Sequence, residues 1–230
     1  MTVACKIEEV ISKIDKAQSG SPDSASEVRL VAVTKTLGIG PIQEAYDAGI
    51  RDFGENRVQE ILEKYPHFPS DVRWHLIGHL QTNKVKYIVD KVHLIHSLDS
   101  LRLAEEIEKR SAALDRVMPC LVQVNIADED TKFGLKVEEV EDFLKAMVPF
   151  PHIRIEGLMT IGPHVCDDVR IREVFRQLRT MAQTMSKLAL PNVRMRELSM
   201  GMSSDYMIAV EEGSTMVRVG SSIFGPRSVK

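Results

Sequence analysis

The sequence predicts an α/β fold, a single (β/α)8 TIM barrel occupying residues 1–230 as one domain. Three observations carry that prediction. Short apolar, β-branched runs alternate with segments of helical periodicity about eight times along the chain, the pattern of a parallel sheet wrapped by helices. No linker or low-complexity stretch divides the 230 residues, a length that suits one large core better than two small ones. The open doubly wound sheet, the nearest alternative, lacks its phosphate fingerprint: Gly38-Ile39-Gly40 runs directly into Pro41, so no Gly-x-Gly-x-x-Gly follows the first strand.

Residues 3–18 open the chain with Val3, Ile7, Val10, Ile11 and Ile14 at helical spacing and Lys and Glu opposite. A Gly/Ser/Pro/Asp-rich break at 19–25 precedes the first strand, Arg29–Lys35, whose apolar β-branched run reads as buried on both faces. Pro41, Ile42, Ala45 and Tyr46 then form a short helix ending at Gly49. Strand two is Ile50–Glu55, followed by a helix from Asn56 with Val58, Ile61 and Leu62 inward. Strand three is Arg73–Gly78, with a helix around Lys84–Val89. Strand four is Val92–Ser97, and Asp99 caps a long helix to about Leu114. Strand five, Pro119–Asn125, leads through a polar loop to a helix over Val137–Met147. Strand six, Ile153–Thr160, precedes a long helix over Val169–Leu188. Strand seven is Met195–Gly201, after which Ser203-Ser204-Asp205 opens a helix; strand eight is Thr215–Ser221.

Composition narrows the function classes. With 30 basic and 33 acidic residues and a net charge of −3, the chain has no basic field for nucleic acid or an acidic membrane. The N-terminus turns charged too early for a secretory signal, and no apolar run reaches the ~20 residues of a membrane span. Cys5, Cys120 and Cys166 are widely spaced and odd in number, which fits a reduced, cytoplasmic setting rather than a disulfide framework or a zinc site.

A barrel of this class works at the C-terminal ends of its strands. Those ends are Lys35, Glu55-Asn56, Gly78-His79, Ser97, Asn125, Met159-Thr160, Ser199–Ser203 and Arg218–Ser221. The loops after strands seven and eight favour phosphate in this fold. Here they are Ser199–Ser204 and Gly220–Ser222, small residues and hydroxyl donors whose backbone N–H groups approach an anion closely; Ser203 is placed at a helix start. Each loop alone is also an ordinary turn or cap. Lys35 alone is an ordinary strand-end cation. Together they point to two chemistries: a Schiff-base aldolase acting on a sugar phosphate, or a protein that holds pyridoxal 5′-phosphate (PLP) through a lysine. Arg218, two residues before Gly220 and on the same face, bears on the second, since a guanidinium beside the pyridine nitrogen leaves it unprotonated.

Six stretches carry a resemblance across essentially the whole chain. They are Val31–Lys35, Phe53–Glu60, Trp74–Lys84, Gly157–Thr160, Leu198–Ser203 and Val217–Gly225. The chain resembles the PLP homeostasis proteins of the YggS/PROSC type, which share the alanine racemase N-terminal barrel. The resemblance implies that Lys35 carries PLP as an internal aldimine. It also implies that Ser203, Gly220 and Ser221 bind the phosphate, that Arg218 lies near the ring nitrogen and Asn56 near the cofactor. Arg57 and His79 depart from the family's usual residues. The implied function is a PLP-binding protein that maintains the intracellular PLP pool without robust catalysis, meeting apo PLP enzymes transiently.

The alternative is a PLP-dependent amino-acid racemase. The racemases supply a second acid/base from an additional β domain, which this sequence, ending soon after strand eight, is not expected to carry; a monomer follows from the same expectation. Lys132 resembles a family position that could take a second PLP, but it also reads as a solvated loop lysine. His75 and His79 read as structural rather than as a zinc pair, and Met159, Met200 and Met202 as core or lining.

Overall fold

The computed structural model describes residues 2–21, 27–127, 133–163, 165 and 167–226. Among them, eight parallel strands pair in sequence order and close into a barrel. These are β1 (Arg29–Val33), β2 (Asp52–Glu55), β3 (Arg73–Leu76), β4 (Val92–Leu98), β5 (Met118–Gln123), β6 (Ile153–Met159), β7 (Val193–Ser199) and β8 (Met216–Val219). The seam is β1 against β8, in register from Arg29 opposite Met216 to Ala32 opposite Val219. β1, β2, β3, β5, β6 and β8 are one to three residues shorter than their expected runs, β4 extends one residue further, to Leu98, and β7 keeps its expected length but lies two residues earlier.

Alternation along the strands sorts the side chains into two apolar clusters. Ala32, Phe53, Trp74, Ile95, Val122, Leu158, Leu198 and Val217 pack outward with helix residues in the large core. Val31, Leu94, Leu121, Met159 and Met216 form a separate small cluster to which no helix contributes. These two sets lie on opposite faces of the sheet, since successive side chains alternate, so the second set is the barrel interior. The same parity points Asp52, His75, His96, Ser199 and Arg218 inward, and all five are buried.

The outer layer begins with α1 (Val3–Gln18), capped by the Thr2 hydroxyl, which accepts from the Cys5 N–H at 3.3 Å. It buries Ile7, Val10, Ile14 and Ala17, while Ile11 stays 41% exposed. The remaining helices are α2 (Ile39–Asp47), α3 (Val58–Lys64), α4 (Leu101–Ala112), α5 (Val140–Ala146), α6 (Asp168–Ser186), α7 (Tyr206–Glu211) and α8 (Ser221–Phe224). Helix α1 packs on α2, α7 and α8 and so covers the outside of the seam.

Several boundaries differ from the sequence expectation for local reasons. The segment around Lys84–Val89 is a 3-10 helix, Thr82–Tyr87, and Val137–Glu139 is a 3-10 turn leading into α5. Ser100, not Asp99, caps α4, its hydroxyl accepting from the Leu103 N–H; a serine one residue closer to the first turn meets that donor directly. Helix α7 starts at Tyr206, after Asp205, so Ser203 stands clear of it.

Gly157 marks the tightest point of the wall. A Cβ there would lie 1.8 Å from the Glu197 carbonyl oxygen on β7, where the β6–β7 register shifts. Gly157→Ala is expected to lower the unfolding free energy by about 3 kcal/mol or more, read as a lower urea midpoint. Gly40→Ala, on an α2 position with nothing within 4 Å, should change stability by less than about 1 kcal/mol.

Candidate functional site

Backbone geometry at the end of β1 presents Lys35. Beyond Val33 the chain continues as Thr34-Lys35-Thr36, and Thr36 takes a left-handed φ of +68°. A β-branched residue there costs about 1–3 kcal/mol and persists only where the surroundings enforce it. The enforcement is visible. The Thr36 N–H donates to Glu60 Oε2 at 2.6 Å, and the Leu37 N–H to the Thr34 carbonyl at 3.0 Å. The Thr34 hydroxyl donates to Glu55 Oε1 at 2.5 Å. Lys64 Nζ, itself buried, donates to the Thr34 carbonyl (2.9 Å), Glu55 Oε1 (2.7 Å) and Glu60 Oε2 (3.0 Å). Thus both neighbours of Lys35 are tied to one buried ion cluster between β2 and α3.

That cluster is electrostatically uneven. Glu55 is wholly buried and its Oε2 has no hydrogen-bond partner. Burial raises its carboxyl to about 7, against the opposing pull of Lys64 and Thr34. Burial also disfavours the charge on Glu60, but the Thr36 N–H and Lys64 outweigh it and hold that carboxyl below its usual range.

Arg218 rises from β8 into the opposite side of the mouth. It is 4% exposed, donates from Nη1 to Ser199 Oγ at 2.5 Å and from Nη2 to the Thr160 carbonyl at 2.9 Å. Burial lowers the guanidinium to about 10, which leaves it a cation at neutral pH. It is not an outward surface charge. Ser199 therefore serves Arg218 from inside the barrel and is not a free hydroxyl of the loop after β7.

Next to Arg218 the two small-residue loops meet. Ser203 Oγ accepts from the Gly220 N–H at 3.1 Å and the Ser222 N–H at 3.3 Å, and Ser222 Oγ donates back to the Ser203 carbonyl at 3.3 Å. The hydroxyl thus sits at the start of α8 rather than α7. Gly220 presses on β1: a Cβ there would approach the Val33 carbonyl oxygen to 3.1 Å.

Lys35, Asn56, Ser203, Arg218, Gly220 and Ser221 all line one cavity of ≈ 470 Å³ at the C-terminal end of the barrel. All six residues singled out from the sequence are brought together. Gly78 keeps Asn56 close, since a Cβ at Gly78 would fall 2.4 Å from the Asn56 carbonyl oxygen. Sequence reasoning missed Gln123, Phe133 and Ile161 in the lining. Gln123 ends β5 and donates to the Phe133 carbonyl at 2.9 Å. His79 stacks on the Phe133 ring, centroids 4.2 Å apart, with Nδ1 3.5 Å from Asp99; burial raises the Asp99 carboxyl. Lys132 and Cys166 lie outside the described residues. A larger cavity, ≈ 680 Å³, opens at the other end of the barrel beside Arg29, Asp52 and Arg73; convergent strand-end chemistry, not volume, selects the smaller one.

The described lining holds two cationic side chains, three serines and no carboxylate, a donor set suited to an anionic small molecule bearing a group that reacts with an amine. Among the described residues, no group of His, Cys, Asp or Glu is placed to hold a metal, and no helix is long and apolar enough to cross a membrane.

Residues 10–228 match the family described as alanine racemase, N-terminal domain. A pyridoxal phosphate homeostasis protein of Aquifex aeolicus (strain VF5) is 40% identical over 226 residues, 97% of this chain and 98% of the relative. The chain belongs to the pyridoxal phosphate homeostasis protein family. The solved structure of PipY from Synechococcus elongatus PCC7942 with PLP bound is similar to it, with a TM-score of 0.85 and 35% identity over 97% of this chain and 100% of that one. An alanine racemase of Clostridium difficile 630 shares the barrel at a TM-score of 0.77 but only 12% identity, over 96% of this chain and 58% of the racemase. That likeness speaks for the homeostasis family's fold alone.

The Glu55 carboxyl makes a pH prediction. Its folded value near 7 lies above the 4.5 of an ordinary glutamate, so its contribution to stability is present below pH 4.5 and is lost as pH rises through 7. In urea unfolding from pH 4.5 to 8, the stability of wild type relative to Glu55→Gln should fall by on the order of 3 kcal/mol. A flat difference would contradict the assignment.

Proposed function

We propose that this chain binds PLP in the C-terminal mouth of its barrel and maintains the cellular PLP pool, without robust catalysis of its own. The observation that carries the reading is the convergence of Lys35, Arg218 and the two serine–glycine loops on one cavity of ≈ 470 Å³. The residues fit the group by the chemistry of their donors. Lys35 would be the covalent anchor, Asn56 would lie near the cofactor, and Ser203, Gly220 and Ser221 would receive the phosphate. Arg218 faces the ring nitrogen.

When bound, PLP supplies a reactive aldehyde and an electron-withdrawing ring. The protein's part is to bind, orient and shield. Arg218 has donors only and no acceptor, so it would donate to a bare ring nitrogen and could not accept from a protonated one. Its geometry is fixed by Ser199 and the Thr160 carbonyl. Lys35 is oriented through the clamps on Thr34 and Thr36.

A racemase needs two acid/base groups on opposite faces of the bound substrate. Apart from Lys35 and Arg218, the one titratable side chain in the described lining is His79, engaged with Phe133 and Asp99. No tyrosine, cysteine or carboxylate joins it among the described lining residues. This supports the carrier over the racemase. In the same reading residues 1–230 act as one monomeric, cytoplasmic barrel that hands PLP to apo enzymes on transient contact.

The purified protein is expected to be yellow or to become so with added PLP. Borohydride reduction followed by intact mass and peptide mapping should find one adduct, on Lys35, and Lys35→Ala should lose both colour and adduct. A protein that takes up no PLP sinks the proposal. Incubation with L- or D-alanine should give no Lys35-dependent loss of chirality; such turnover would establish the racemase instead.

A further inference from the structure

A column of hydrogen bonds runs through the barrel interior from the end opposite the cavity up to Arg218. Arg73 donates to Asp52 from Nε (2.8 Å, to Oδ1) and Nη2 (2.5 Å, to Oδ2). Asp52 Oδ1 lies 2.9 Å from His75 Nε2, His75 Nδ1 lies 2.9 Å from His96 Nε2, and His96 Nδ1 lies 3.0 Å from Ser199 Oγ. Ser199 Oγ accepts from Arg218 Nη1 at 2.5 Å. Both histidines and Ser199 are fully buried.

The direction of every proton in this column follows from its two ends. Burial alone would raise the Asp52 carboxyl, but hydrogen bonds from Arg73 and His75 outweigh it and hold the group well below the usual carboxylate range. Asp52 is therefore an acceptor, and His75 must carry its proton on Nε2. Burial lowers both His75 and His96, so each ring is neutral and has one donor and one acceptor. His75 Nδ1 is then an acceptor, His96 Nε2–H its donor, and His96 Nδ1 the acceptor of the Ser199 hydroxyl proton. The serine oxygen is left facing Arg218 with lone pairs, as an all-donor guanidinium requires. Each donor points from the mouth toward Asp52. Reversing either imidazole alone would set two donors or two acceptors against each other.

We propose that Asp52, His75, His96 and Ser199 are positioning residues for the ligand site, a one-way column in which a carboxylate at one end of the barrel fixes two imidazole tautomers and thereby the seat of Arg218 at the other. This rests on the PLP reading for its ligand, though not for its geometry. It also assigns a purpose to the polar line that passes the small interior apolar cluster: without the Asp52 anchor the histidines have two orders, and in the reversed one the Ser199 oxygen must accept from His96 as well as Arg218 while its own hydroxyl proton has no acceptor in the column.

The test uses the full chain with selectively 15N-labelled histidine, signals being assigned by their loss in His75→Gln and His96→Gln. Long-range 15N–1H correlation of wild type should show both rings as Nε2–H tautomers. Asp52→Asn removes the charge and one of the two oxygens that accept from Arg73 and His75; the rings should no longer hold only the Nε2–H order, and PLP should bind on the order of tenfold more weakly with a shifted absorbance maximum. Ser199→Ala cuts the column beside Arg218 and should weaken PLP by a similar factor, and Asp52→Asn should add little further loss on that background. An Nδ1–H tautomer at either ring of wild type overturns the proposal. So does a loss from Asp52→Asn that persists undiminished with Ser199→Ala, or unchanged PLP affinity in Ser199→Ala, which also decides the matter should Asp52→Asn not fold. If wild type takes up no PLP, the ligand reading fails by itself, and the tautomers of wild type and Asp52→Asn still decide the column.

Discussion

Closure of the sheet between β1 and β8 is the constraint on which the rest depends. These strands lie far apart in the chain, yet their register sets Val31 opposite Arg218 and Ala32 opposite Val219. The end of β1 therefore emerges beside the loop after β8, with Gly220 against the Val33 carbonyl. Lys35, Arg218 and the Ser203–Gly220 contact become neighbours through this one seam. Helix α1 covers it from outside, burying Ile7, Val10, Ile14 and Ala17. Apolar burial by the first helix, at about 25 cal/mol per Å², thus helps hold together a site to which that helix gives no side chain.

Two polar systems support the mouth from different faces of the same wall. Glu55, Glu60 and Lys64 lie on the helix side and fix the backbone on either side of Lys35. Asp52, His75, His96 and Ser199 lie on the inner side and reach Arg218. Asp52 and Glu55 belong to one four-residue strand, and their odd sequence spacing sends them to opposite faces. A buried carboxylate is costly unless paired, and the two solve this differently. Asp52 collects three donors and stays ionised, whereas Glu55 keeps one oxygen unpartnered and titrates near neutrality.

Much of this was legible in the sequence, for identifiable reasons. The barrel could be read because its strands are buried on both faces and appear as runs such as Leu30–Val33, separated by helical periodicity. Lys35 and Arg218 could be placed because strand ends and strand parity are local properties. Boundaries were less visible. Asp99 and Ser100 are both good caps, and a donor distance decides between them. Lys64 could not be recognised as buried: in Gln59-Glu60-Ile61-Leu62-Glu63-Lys64 it looks like one more solvated charge on a helix, and its partner Glu55 lies on a strand. His75 reads from the sequence only as a structural histidine and His96 only as a member of strand four, and their link to Arg218 exists only once β3, β4, β7 and β8 surround one interior. The sequence does carry a trace of it, since polar residues at inward parity on five strands, β2 included, are unusual in a barrel filled by aliphatic layers.

Strand β8 behaves like a reading frame. Met216 belongs to the interior cluster and Val217 and Val219 to the outer core, with Arg218 between them turned inward to the cavity. A substitution at any of the four alters one side chain and leaves the frame intact. Loss or gain of a single residue between Ser214 and Arg218 does something different in kind. It exchanges the faces, sending the guanidinium out among the helices and a valine into the mouth, and it shifts Gly220 off the Val33 carbonyl in the same step. Over this short stretch the variation open to the chain is therefore in composition and not in length, so β8 should keep its residue count while the loops on either side are free to change theirs.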